Sequence, residues 1–522
     1  MKRRFLNIKL LLVATTLLFN TSCESYLDIN DDPNLPTSVP AHSRLVGAIT
    51  TSNGSSMWRA SREVAAVTQY ASTALTTGSN RNAETWRFTA SYFFWQNAYV
   101  FTMPNCVDLI VLGEKEGNPH FVGAGKTLLA LNLGMLTDQY GAIVVDDYYD
   151  GNSQINLTPT FNSQEEVYQR IQQLLDEAIV AFDNPNNKTP LNFSGGDIMY
   201  QGDVDKWRRF AWSLKARYLN HLSKKSSLYD AQKIIEATQN GFNADGMDAE
   251  FAYLEGGQQT DENPWYSWGG FTAADPVNNR YFTWTQFFVD LLQNLPVTET
   301  DYQDPRISRI MEPAPSDGQY RGLKSGLGLA GGQGGTGQFT DVDDYGQFKN
   351  SGFYTRATSP FPFITYSEVK LIEAEARLRS NDASGALAAY EEGVKANMRK
   401  LGVSADEINA YWSAQLANGV EQHFNNLTQG LSHIMRQKYI TQCLNPETWV
   451  DMRRMDYSQE IYGPYLQRPA NINTVVFNAN DPNQWIQAMV YETNEQNRNG
   501  AQIGDNSEQY RLLTPLWWNI PE

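Results

Sequence analysis

Between Ser163 and Phe182 the apolar residues Val167, Ile171, Leu174, Leu175, Ala178, Ile179 and Phe182 recur at every third or fourth position. That spacing puts them on one stripe of an α-helix. Ser163 and Glu166 supply an S-x-x-E capping box at its start, and Asp183-Asn184-Pro185 ends it. The same period predicts helices at 122–140, 204–222, 230–240, 281–292, 366–379, 384–401 and 430–441. A helix with one apolar stripe must bury it against a neighbour. Residues 369–402 show the unit: two helices joined at Asn381-Asp382, with Ala374, Ala376, Ala386 and Ala389 where they would cross. Its length is that of a tetratricopeptide repeat, although the Trp and Leu-Gly signature is missing. The predicted fold class is mostly α, a tetratricopeptide-like helical-hairpin scaffold carrying long irregular loops.

The first residues address the chain. Lys2, Arg3, Arg4 and Lys9 precede a short apolar run, Leu10 to Phe19, and Thr21-Ser22 lead into Cys23. The run is about half of the ~20 residues a membrane-spanning helix needs. It reads as a secretory signal at 1–22, removed before Cys23, which then carries a lipid as in bacterial lipoproteins. Asn20 stands where the lipoprotein pattern usually has Leu. No linker or charge block divides 23–522, so one domain is expected.

Loss of the four basic residues of the leader takes the formal net charge from −17 to −21. A chain so acidic argues against nucleic acid, which needs clustered Lys and Arg, and against an electrostatic membrane patch. Cys106 and Cys443 could pair in an oxidising compartment or remain lone buried thiols. None of the five His falls in an HExxH or HxxxH pattern, which makes zinc improbable. Gly123–Thr127, GAGKT, lacks the first Gly of a phosphate loop: His120 stands there. Lys126 then reads as a solvent-facing helix residue. The pairs Asp146-Asp147 and Glu373/Glu375 could be imagined as glycosidase carboxylates, a role set by their separation in space; the Glu373 pair reads better as a mix of solvated and interhelical groups, and Arg453-Arg454 as partners of structural ion pairs beside Trp449 and Asp451.

Between the helices lie three loop tracts: 76–95, 251–284 and the Gly-rich 322–337. Long loops inside a domain are usually functional. A sugar ring offers an apolar C–H face and a rim of hydroxyls, which an aromatic face and nearby amide or charged groups satisfy together. Trp265, Tyr266, Trp268, Asn278, Arg280 and Trp284, and Trp86 with Asn82, could supply both kinds of contact. The alternative is that each Trp fills space between loop and helix. Asp341, Asp343 and Asp344 after the Gly-rich tract leave a structural calcium as a further reading; no other cofactor is expected.

Five stretches in order carry a family resemblance: CESYLDINDDPN from Cys23, Asp138-Gln139-Tyr140-Gly141, GDIMYQGDVDKWRRFAWSLKARYLNHL from Gly196, ITYSEVKLIEAEARLR from Ile364, and RQKYITQCLNPETWVDMRR from Arg436. The chain resembles the SusD/RagB family of outer-membrane nutrient-binding lipoproteins, its second large sequence group in particular. The resemblance implies a binding protein with no catalysis. It implies a cell-surface, lipid-anchored location in the outer membrane, and a SusC-like TonB-dependent transporter as partner. The implied ligand is an oligosaccharide, or a peptide as in RagB-like members. A secreted glycoside hydrolase with a helical-repeat body, or a purely structural scaffold, are the readings outside that class.

Overall fold

The computed structural model describes residues 39–73, 79–88, 93–149, 155–256, 260–267, 282–293, 303–328, 339–348 and 351–522. The leader, Cys23, Trp268, Asn278, Arg280 and most of the Gly-rich tract lie outside them. Six of the long helices start on a side chain that accepts from an orphan N–H group. The Gln164–Phe182 helix has the predicted capping box of Ser163 and Glu166. Asp203 caps Val204–His221, Asp230 caps Ala231–Asn240, Thr365 caps Tyr366–Arg379, Asp382 caps Ala383–Lys400 and Asn426 caps Leu427–Thr441. Helices also form at Ala41–Thr51, Met103–Glu116, Ala405–Ala417, Glu447–Arg454 and Thr493–Ile503, which periodicity does not single out.

Consecutive helices pair as hairpins. Pro119–Tyr140 packs on Gln164–Phe182, Val204–His221 on Ala231–Asn240, and Tyr366–Arg379 on Ala383–Lys400. The last pair turns at Asn381, whose φ of 63° is left-handed, a conformation Asn tolerates better than most side chains. The Pro119–Tyr140 helix is buried along almost its whole length, so it reads as apolar all round. At its crossing with Val204–His221 a Cβ on Gly134 would lie 2.1 Å from Tyr218 Oη. Residues Ala41–Glu522 form one compact unit. No helix among the described residues is long and apolar enough to cross a membrane.

Among the described residues, three two-stranded antiparallel ladders punctuate the helices: 71–72 with 283–284, 249–251 with 361–364, and 311–312 with 347–348. The first corrects the expected 281–292 helix. Thr283-Trp284 pair as strand, Thr285 donates its hydroxyl to Gln69 O, and the helix begins only at Gln286. Lys126 is also not solvent-facing: its ammonium is 2.7 Å from Glu177 Oε2 and the side chain is largely buried. Cys106 and Cys443 are both free and buried.

Candidate functional site

The loops converge on one face. Ala71 pairs with Trp284 and Ser72 with Thr283. Leu323 N donates to Trp284 O at 3.0 Å and Gln286 N to Leu323 O at 2.8 Å. The buried Glu84 carboxylate accepts from Ser72 Oγ and, at 2.7 Å, from Gly326 N. Ala470 N donates to Ser325 O at 2.8 Å, and Asn473 N to Thr85 O at 2.9 Å. Segments distant in sequence are thus fixed by main-chain bonds, so side chains on them are held in register.

Beneath this face runs an aromatic layer. Trp265 meets Trp58 edge-on at 5.0 Å and Phe348 at 6.0 Å, and Phe348 lies 4.3 Å from Trp284. Trp86 is held between Phe477 at 4.9 Å and Trp485 at 5.5 Å. Trp86 and Trp284 are 0% exposed and Trp265 2%. These three rings show no open face and pack as the floor of the loop region. Large rings buried against one another contribute most by staying dry. Trp86 is even left-handed, φ 57°, a strain that persists because its surroundings fix the ring. Asn82, by contrast, is exposed and Tyr266 half-buried. The NPWYS turn bearing Tyr266 is anchored by Asn263, whose Oδ1 accepts from Trp265 N at 2.8 Å and whose Nδ2 donates to Ser359 O at 2.9 Å. Trp268, Asn278 and Arg280 follow in the undescribed stretch.

A polar pocket of about 210 Å³ opens where these segments meet, with Gln286, Asp290, Lys324 and Tyr465 on its walls and Gln69 at its base. Gln69 Nε2 donates to Gln467 O at 2.7 Å, tying the base to the 465–468 wall. Burial pushes the Asp290 carboxyl up to about 6, against a side-chain hydrogen bond from Gln286. Amide, carboxyl, ammonium and phenol groups around a small pocket can satisfy a ring of hydroxyls. Sequence reasoning missed all of these residues, because nothing in their own local pattern separates them from helix or turn positions.

The acid–base groups gather elsewhere, deep between helices. Asp138, His221 and Glu447 are the group among the described residues with metal-ligand spacing, and all three are buried. Tyr168 donates to Asp138 Oδ1 at 2.5 Å. Its hydroxyl has one proton, so the 2.8 Å contact with His221 Nδ1 must be a donation from the imidazole. His221 Nε2 then accepts, at 2.6 Å, from a protonated Glu447. Burial accounts for that state: it pushes Glu447 up to about 7 and His221 down to about 3. Both ring nitrogens are taken by protein partners, and Arg217 stands 3.6 Å from Glu447 Oε2, so the group does not fit a resident cation. Glu447→Gln keeps a donor to Nε2. The parent's Glu447, raised above its unfolded 4.5, contributes stability at low pH that is lost as pH rises through about 7. The variant is therefore expected to gain on the parent by on the order of 2–3 kcal/mol between pH 4.5 and above 7 in urea melts; a constant difference across that range would contradict the proton placement.

The same core absorbs the other suspected carboxylates. Glu375 is bound by Arg454 at 2.8 and 2.9 Å and by Arg379 at 3.0 Å, and Glu373 by Lys370 and Arg377. Arg453 stacks 3.8 Å over Trp449. Arg217 grips Glu368 bidentately at 2.7 and 2.8 Å. Asp341 and Asp344 cap the short 3₁₀ turn at 342–344.

The chain belongs to the SusD-like family described as starch-binding and associating with the outer membrane, whose profile matches residues 33–476. Solved structures agree in fold. A SusD/RagB family protein from Bacteroides thetaiotaomicron is similar at a TM-score of 0.69 with 21% identity, covering 93% of this chain and 100% of that one. A SusD homologue from Parabacteroides distasonis gives 0.71 and 19%, with 92% and 98% covered. A chitin-binding SusD homologue from Flavobacterium johnsoniae gives 0.70 and 18%, with the same coverage. Among curated protein sequences none matches this chain.

Proposed function

We propose that this protein captures an oligosaccharide at the cell surface and passes it to a SusC-like TonB-dependent transporter, with no turnover of its own. The observation that carries the reading is the loop face: distant segments stitched by main-chain bonds around a polar pocket, over a dry aromatic floor, on the scaffold of a family described as starch-binding. The similarity to a chitin-binding homologue supports a glycan over a peptide. Asn82 and Tyr266, with Trp268, Asn278 and Arg280, are the further ligand contacts of this proposal. Cys23 carries the lipid that holds the protein to the outer membrane. Binding is expected in the micromolar to millimolar range, about −8 to −4 kcal/mol, which lets the ligand leave for the transporter. Calorimetric titration of the mature chain, Cys23→Ser, with maltohexaose and chitohexaose tests it. Saturable heat, weakened about ten-fold by Lys324→Ala or Gln286→Ala, supports the reading. Heat from peptide pools alone would move the protein to RagB-like peptide capture, and hydrolysis of either sugar would overturn the absence of catalysis.

A further inference from the structure

The loop-face pocket has a charge balance of its own. Lys324 and Arg468 both line it, and among the described residues Asp290 is the only carboxyl on its wall. That balance runs against the chain as a whole, whose formal net charge is −17. Arg468 Nη1 donates to Asn478 O at 2.9 Å and Nη2 to Ala479 O at 2.7 Å. Main-chain carbonyls satisfy N–H groups without neutralising the guanidinium, which has five donors in all. Asp481 is the carboxylate whose field reaches it, from outside the pocket lining. Burial raises the Asp290 carboxyl to about 6, opposed by a hydrogen bond from Gln286 and by neither cation. The charged or titratable groups that share the pocket with it are Lys324, Tyr465 and Arg468.

These groups are within reach of a ligand: Gln286, Asp290, Lys324 and Arg468 are half-buried, and Tyr465 and Gln467 are exposed. The base is held in place. Gln69 is left-handed, φ 61°, and its carbonyl accepts from the Thr285 hydroxyl while its side chain holds Gln467 O. Strain of this kind persists only where the surroundings over-determine it, and it gathers at ligand sites. The volume of about 210 Å³ falls below the roughly 300–1,000 Å³ that encloses a whole small ligand. The pocket therefore takes one part of a longer chain.

We propose that this pocket makes the protein prefer acidic oligosaccharides, with the carboxylate of a uronate residue seated against Lys324 and Arg468 and the rest of the chain across the loop face. Hydrogen bonds to a charged acceptor are roughly twice as strong as neutral ones, so a carboxylate gains more from these two cations than a hydroxyl does. Gln286 and Tyr465 serve the hydroxyls of the same ring. Asp290 donates to the carboxylate when protonated and opposes it when ionised. Charges elsewhere on the acidic surface are screened beyond about 8 Å at physiological salt, so the pocket groups decide. The preference for negative charge rests on the pocket; that its bearer is a sugar rests on the glycan-capture reading.

The test is calorimetric titration of the mature chain, Cys23→Ser, with maltohexaose, chitohexaose, the C6-carboxylate form of maltohexaose, hexagalacturonate and a hexapeptide of Asp and Glu. At least one uronate is expected to bind about ten-fold tighter than either neutral hexaose. Lys324→Gln and Arg468→Gln keep hydrogen-bonding groups but lose the charge, so each should bring the ratio of uronate to neutral affinity toward one. Uronate affinity should rise about three-fold from pH 7.5 to pH 5.5, as Asp290 takes up its proton, and Asp290→Asn should flatten that profile, which a merely structural role for Asp290 would not do. Uronates that bind no tighter than a neutral hexaose that does bind, or a preference that survives both Gln variants, would overturn the acidic-sugar preference and leave glycan capture standing. Binding of the acidic peptide above both uronates would overturn the sugar as bearer of the charge. Silence with all four sugars would overturn glycan capture and this preference with it.

Discussion

Arg454→Leu should unfold the chain under conditions the parent tolerates, with a loss of about 3–5 kcal/mol. Arg454 is fully buried and donates to Glu375 at 2.8 and 2.9 Å and to Asp451 at 2.5 Å. Removing it leaves two carboxylates in a low-dielectric interior with Arg379, Asn220 and Lys438 as their remaining partners. Burial alone would raise the Glu375 carboxyl; Arg454 and Arg379 overcome it and hold the group well below its usual range. The stability tied to Glu375 is thus present above its unfolded value of 4.5 and is lost as pH falls toward its folded one. Domains of this kind have about 5–15 kcal/mol in all. Guanidinium melts of parent and variant at pH 7 measure the difference, and a loss under about 1 kcal/mol would mean that the network is dispensable.

Gly326→Val should abolish ligand binding at the loop face while leaving the helical body folded. Gly326 sits at φ 83°, and a Cβ there would be 1.9 Å from Ala470 O. The clash is with main chain, so it cannot be relieved by a rotamer change. Either the 322–328 segment or the 465–473 segment must move, which breaks the Gly326 bond to Glu84 and the Ala470 bond to Ser325. The left-handed strain adds about 1–2 kcal/mol, and overpacking typically costs about 1–3 more. Circular dichroism should retain the helical signal while affinity for a bound hexasaccharide falls at least about ten-fold. A variant that binds as the parent does would show that these segments do not frame the site.

The helical scaffold was legible because its code is local. The stripe at Ser163–Phe182 and the hairpin turning at Asn381-Asp382 each need only their own residues. The four internal family-like stretches proved to encode something else than a ligand site: Asp138, Arg217, His221, Glu368, Glu375, Glu447, Asp451 and Arg454 from four different helices meet in one buried polar network. The aromatic loops were legible as a region but not as a surface. Composition tells that Trp86, Trp265 and Trp284 are in loops; only packing tells that Phe477, Phe348 and Trp58 cover them. The pocket residues Asp290, Lys324 and Tyr465 come from segments far apart in sequence, brought together by ladders as short as two residues, and such ladders leave almost no periodic trace.

In the proposed function a glycan sits where these segments meet. Hydrogen–deuterium exchange of the mature chain with and without saturating maltohexaose or chitohexaose reads this directly, since a ligand that bridges segments slows the opening of each. Slowed exchange is expected at 69–73, 282–290, 322–328 and 465–468 together. Exchange unchanged at all four with both sugars, or slowed only in other segments, would contradict that placement.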